Sequence, residues 1–171
     1  MQTTHAGSSA PTLPVRLGMG VIGGIVAGAG FIALTMWFAH TDGKDAVAPF
    51  KMISTIIEGP PPDEGMVWLG VVVHVVLSVA FGLLFALLTH PWGTGTVAAL
   101  AGLVYGGVIY VVNFQILSRF VDHWSAFLEG TNQPFEAATH LLFGALLAVF
   151  FPAVTRRARQ KEAPRHAESA A

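Results

Sequence analysis

Four long apolar runs, residues 17–39, 66–89, 96–117 and 135–154, are separated by short polar breaks. Each is roughly 20 residues long, enough for a helix rising 1.5 Å per residue to cross a bilayer core. The pattern predicts an all-α polytopic membrane protein, a bundle of four transmembrane helices. The first run carries Gly20, Gly24 and Gly28 at the small-xxx-small spacing that lets helix backbones approach closely in lipid. It is too long for a signal-peptide core and lacks a small-x-small cleavage site, so it reads as a retained helix. Every fourth residue of the second run gives Gly70, His74, Ser78, Gly82 and Ala86, and the last run gives Glu136, His140, Gly144 and Ala148. The third run repeats the small stripe at Ala98, Gly102 and Gly106, with Asn113 near its exit.

The breaks predict the connections. Residues 47–57 place Val47, Phe50, Ile53, Ile56 and Ile57 at helical spacing, which predicts a short amphipathic helix on the membrane surface in the first long loop. Gly59 and the prolines Pro60 to Pro62 should end it and form a stiff, extended return to the bilayer. The stretch from His90 to Gly95 is short enough only for a tight antiparallel turn. Residues 118–134 read as a second long loop. Residues 1–16 read as a mobile tail and 156–171 as a basic one. Ser54, Glu58 and Gly59 recur as Ser125, Glu129 and Gly130, each ahead of a run with a central histidine and a Phe-Gly pair, Phe81-Gly82 or Phe143-Gly144. That recurrence reads as a duplicated helical hairpin with both halves in one orientation.

Composition sharpens the class. Of 171 residues, 53% are hydrophobic and 11% charged, against about 25% charged in soluble domains. Six of the nine basic residues (Arg16, Arg156, Arg157, Arg159, Lys161 and Arg165) fall on the side of the termini. Lys44, Lys51 and Arg119 fall on the other side, among eight of the ten acids. The positive-inside rule therefore puts both termini in the cytoplasm of a bacterial inner membrane and both long loops outside. The basic tail reads as a topology determinant with weak attraction to anionic lipid, not a nucleic-acid site. With no cysteine, the chain has no disulfide, thiolate metal site, iron–sulfur cluster or cysteine-linked haem. It has no Walker-type loop or serine nucleophile elbow, so no catalytic residue is assigned and a non-enzymatic role is preferred.

Depth organises the candidate chemistry. Counted from the outer ends of their runs, His74 lies roughly 12 Å down, His140 roughly 8 Å and Asn113 about 6 Å. Glu136 and His123 belong at or above that level. Polar groups in lipid turn toward the bundle interior and toward one another, so His74, Asn113, Glu136 and His140 should line one outward-opening pocket, with Ser78 and His123 as further polar candidates. Two imidazoles on facing helices could be the axial ligands of a haem b. With Glu136 they could instead bind a divalent metal. Histidines beside a carboxylate could also shuttle protons, although Ser78 and Tyr105 alone make a thin path inward. The pocket could equally admit a small ligand. Against these stands packing: a lone histidine in a membrane helix is ordinarily an interhelical hydrogen bonder, and Glu136, behind Pro134, has the position of a helix cap.

By its four short spans, outward loops and the string His140-Leu-Leu-Phe-Gly144, the chain resembles the small uncharacterised bacterial inner-membrane proteins of the YagU type. That resemblance implies location and fold, with no activity attached. The expected function is thus a small integral membrane protein whose His/Asn/Glu pocket binds an ion or small ligand, accessory to transport or a respiratory complex. The alternatives are a haem b subunit and a structural scaffold. The lipid bilayer is the implied partner, and the glycine stripes leave a homodimer or a larger membrane complex open.

Overall fold

A computed structural model describes residues 12–88 and 95–149. Residues 1–11 of the expected N-terminal tail, the turn at 90–94, the end of the fourth run and the basic tail lie outside the described residues, whereas residues 13–16 of that tail are helical.

Helix α1 runs Leu13–Thr41, four residues earlier than the apolar run suggests. Pro14 is tolerated in its first turn, where an amide proton would have no partner, and Leu13 and Val15 extend its apolar surface. Arg16 therefore lies inside the helix, and its guanidinium donates to the Ala86 carbonyl.

Helix α2, Ala48–Glu58, matches the predicted amphipathic segment to within a residue. It stops at Gly59, whose φ of 81° favours glycine and whose N–H donates to the Thr55 carbonyl at 2.8 Å. The prolines then lead into a 3-10 turn at Pro62–Glu64 instead of the extended return expected. Nor does α2 lie free on a surface. Ile53, Ser54 and Thr55 are buried, and a Cβ on Gly70 would overlap the Phe50 carbonyl. Gly70 is thus the seat on which α2 is laid against α3, Val67–Leu88.

Helix α4 is α-helical over Gly95–Tyr110, widens to a π-helix over Val111–Leu117, and closes with a last α turn at Ser118–Phe120. Within this wider turn the Ser118 hydroxyl donates to the Asn113 carbonyl, five residues back, at 2.9 Å. Helix α5, Ser125–Glu129, lies in the second long connection and is followed by α6, residues 133–149. The expected fourth span is therefore helical as far as it is described. No strand occurs among the described residues.

Glycines set the contacts between helices. On α1 and α3, a Cβ on Gly20 would meet the Gly82 carbonyl at 2.7 Å, and one on Gly24 would overlap the Ser78 carbonyl. On α4 and α6, Gly102 stands in the same relation to the Gly144 carbonyl, and Gly106 to that of His140. The two pairs have one register, in which Gly144 takes the place of Gly82, His140 that of Ser78, and Glu136 that of His74. The two histidines therefore do not correspond. They are offset by one helical turn, about 5.4 Å.

Two apolar clusters fill the interior. Ala27, Phe85, Ile109, Phe143 and Leu147 pack between the glycine contacts, and Ile53, Phe114 and Phe127 pack beneath α2 and α5. Outside them, Ile22, Val26, Val72, Val76, Leu100 and Val104 are exposed. Only 28–33% of each long apolar stretch is buried within the protein. In water such surfaces would aggregate; hydrocarbon is the solvent that suits them.

Candidate functional site

Between the two clusters lies a cavity of about 170 Å³. It reaches from exposed Asp42, Lys44 and Asn132 at its rim to buried Ser78 and Phe143. His74, Asn113, Glu136 and His140 all line it, so the four groups expected to converge do share one space. Ser78 lines it too. His123 does not. Its ring packs beside Gly59, 3.4 Å from where a Cβ would stand, at the end of α2.

Backbone carbonyls hold both histidines. His74 Nε2 lies 3.0 Å from the Gly28 carbonyl across the α1–α3 contact, with the Ser78 hydroxyl at 3.5 Å. His140 Nδ1 lies 2.7 Å from the Glu136 carbonyl one turn earlier on α6. Carbonyl oxygens only accept, so each of these nitrogens carries a proton. His140 is 6% exposed, and Phe31, Tyr110 and Phe114 surround it edge-on with ring centroids at 4.9, 5.9 and 5.1 Å. Phe31 also stacks against His74 at 6.0 Å and so touches both imidazoles.

Glu136 is not the cap of α6. Asn132 holds that position: its side-chain oxygen accepts the Phe135 N–H at 3.1 Å and its carbonyl accepts the Glu136 N–H at 2.9 Å. The Glu136 carboxyl is left facing the cavity with no cation or hydrogen-bond donor among the described residues. The Asn113 amide and His140 Nε2 likewise have no partner among the described residues. No fully enclosed side-chain polar atom there lacks a partner, so these free atoms are the ones the cavity reaches.

Several structural residues carried no signal in the pattern. Gln133 donates to the Phe127 and Leu128 carbonyls at 2.9 and 3.0 Å, ending α5, and accepts from the Tyr110 hydroxyl at 3.1 Å. Gln115 donates to Tyr110 at 2.9 Å and accepts from Arg119 at 3.1 Å. Their positions beside aromatic residues near the ends of apolar runs were the available clue.

The geometry also tests the proposed cofactors. A haem b clasped by His74 and His140 needs an open slab between two free nitrogens. Phe31 packs against both rings and Gly28 takes His74 Nε2, so these residues do not fit that group. Among the described residues no three of His, Cys, Asp or Glu gather as a metal ion would require.

An all-helical chain with three described helices long and apolar enough to span a bilayer, each mostly facing outward, is a small multi-pass membrane protein. No family model, curated protein or solved structure matches it.

Proposed function

We propose that the chain crosses the bacterial inner membrane four times, with α6 as the fourth span and both termini in the cytoplasm, and that its outward-facing cavity binds a small ligand. The positive-inside distribution supports the orientation. Exposed Trp37, Trp68 and Phe120 all lie at the α2 end of their spans, which suits a membrane–water boundary there. The observation that carries the ligand reading is the convergence of four polar side chains from α3, α4 and α6 on one aromatic-walled cavity.

Cysteine accessibility tests it, since any cysteine introduced is unique. In spheroplasts, a small water-soluble methanethiosulfonate should modify Ser78→Cys on the cavity floor from outside, and should leave Leu100→Cys on the lipid face unmodified. Equal inertness at the two positions would remove the pocket.

A further inference from the structure

We propose that the occupant of this cavity is a small organic cation of the amine class; the proposal rests on the pocket reading above and narrows it. Three observations point that way. First, the Glu136 carboxyl lines the cavity without a cation or donor among the described residues. A carboxylate withdrawn from water is unfavourable unless paired, and a ligand cation would complete it. The one basic side chain on the rim, Lys44, already lies 3.2 Å from Asp42.

Second, the walls are rings. Phe31, Phe38, Phe114, Trp124, Phe127 and Phe135 surround the space, and aromatic faces attract alkylated ammonium groups that water solvates weakly. Such walls offer nothing to an inorganic cation, which needs oxygen ligands. Third, besides Glu136, the side on which the cavity opens carries seven carboxylates against three basic residues, a field that concentrates cations and repels anions. His140 adds selectivity. It is more than nine-tenths buried, its Nδ1 is committed to the Glu136 carbonyl, and its Nε2 lone pair is free to accept a hydrogen bond from a hydroxyl or N–H on the ligand.

Choline and its uncharged isostere 3,3-dimethylbutan-1-ol separate charge from shape. By calorimetry on the full chain in lipid nanodiscs, choline should bind at least tenfold more tightly than the isostere. Glu136→Gln should bring choline down to the isostere's affinity and leave the isostere unchanged, which also reports that the variant is folded. An isostere that binds as tightly as choline, or choline binding untouched by Glu136→Gln, overturns the cation assignment while leaving a pocket for neutral ligands. Binding of neither probe overturns it as well; only if Ser78→Cys is also unreactive does the pocket itself fall.

Discussion

The His74 imidazole and the Gly28 carbonyl are joined across two helices by a 3.0 Å hydrogen bond, which places a proton on Nε2 of His74. A Cβ on Gly28 would stand 2.7 Å from Ser78 Cβ and 3.4 Å from His74 Nε2. The His140 ring is held by the opposite nitrogen, Nδ1. Nitrogen-15 NMR of the labelled histidines should therefore find the two rings in opposite neutral tautomers, with the proton on Nε2 in His74 and on Nδ1 in His140. Two identical tautomers would contradict the placement of one ring.

The glycine contacts predict a contrast between positions of equal helix propensity. A Cβ on Gly82 would lie 2.8 Å from Gly24 Cα and one on Gly144 2.8 Å from the Gly106 nitrogen, in both cases backbone that cannot swing aside. Gly82→Ala and Gly144→Ala should each cost about 1–3 kcal/mol. Gly18, with nothing within 4 Å of its Cβ position, should be neutral or gain up to about 1 kcal/mol as alanine. Equilibrium unfolding in micelles checks the three together.

Tyr105 ties the two hairpins. Its hydroxyl donates to the Phe81 carbonyl at 2.6 Å, and its ring lies 5.1 Å from Phe85. Tyr105→Phe keeps the ring and removes the bond, so unfolding should register a loss of about 0.6 kcal/mol, the usual value for such bonds in lipid. A loss several times larger would mean that the carbonyl has no other way to be satisfied.

Glu58 gives the protein an acid limb. Its carboxylate accepts the Met66 N–H at 2.9 Å, at the start of α3, and the Ser54 hydroxyl and that amide hold its titration below the ordinary 4.5. A folded value lower than the unfolded one means that the stabilisation is complete above the unfolded value and is lost as pH falls through the folded one. Glu58→Gln, which imitates the protonated acid, should melt below the wild type near neutral pH, and the two melting curves should converge as the pH falls through the carboxylate range. A gap that widens on acidification would refute this.

Three of the spans, the small stripes and the placing of His74, Asn113, Glu136 and His140 around one cavity could be read from apolar run length, four-residue spacing and depth. The one-turn offset of the two histidines is easily passed over. The every-fourth strings look alike when aligned on the histidines, although the Phe-Gly pairs put His74 eight residues before Gly82 and His140 four before Gly144, the register that the backbone contacts of Gly82 and Gly144 have. Phe31 was hidden for a different reason. In a helix apolar all round, a core phenylalanine and a lipid-facing one have the same neighbours in sequence. The spacing within 47–57 revealed α2 but not its seat on Gly70, because docking depends on a missing side chain on another helix. Asn132 took the capping role because its short side chain reaches the Phe135 amide, leaving Glu136 for the cavity. Nothing in residues 111–117 advertises a wider turn.

The glycine fastenings also decide where the molecule can yield. Gly20 with Gly82 and Gly102 with Gly144 clasp main chain to main chain at one end, and Gly70 seats α2 on α3 through the Phe50 carbonyl at the other, whereas α5 rests on its neighbours through side chains. A pair of tweezers with one fixed jaw is built this way. Entry to the cavity would then need only α5 to swing aside, and deuterium should replace amide protons fastest around α5 and slowest beside Gly82 and Gly144.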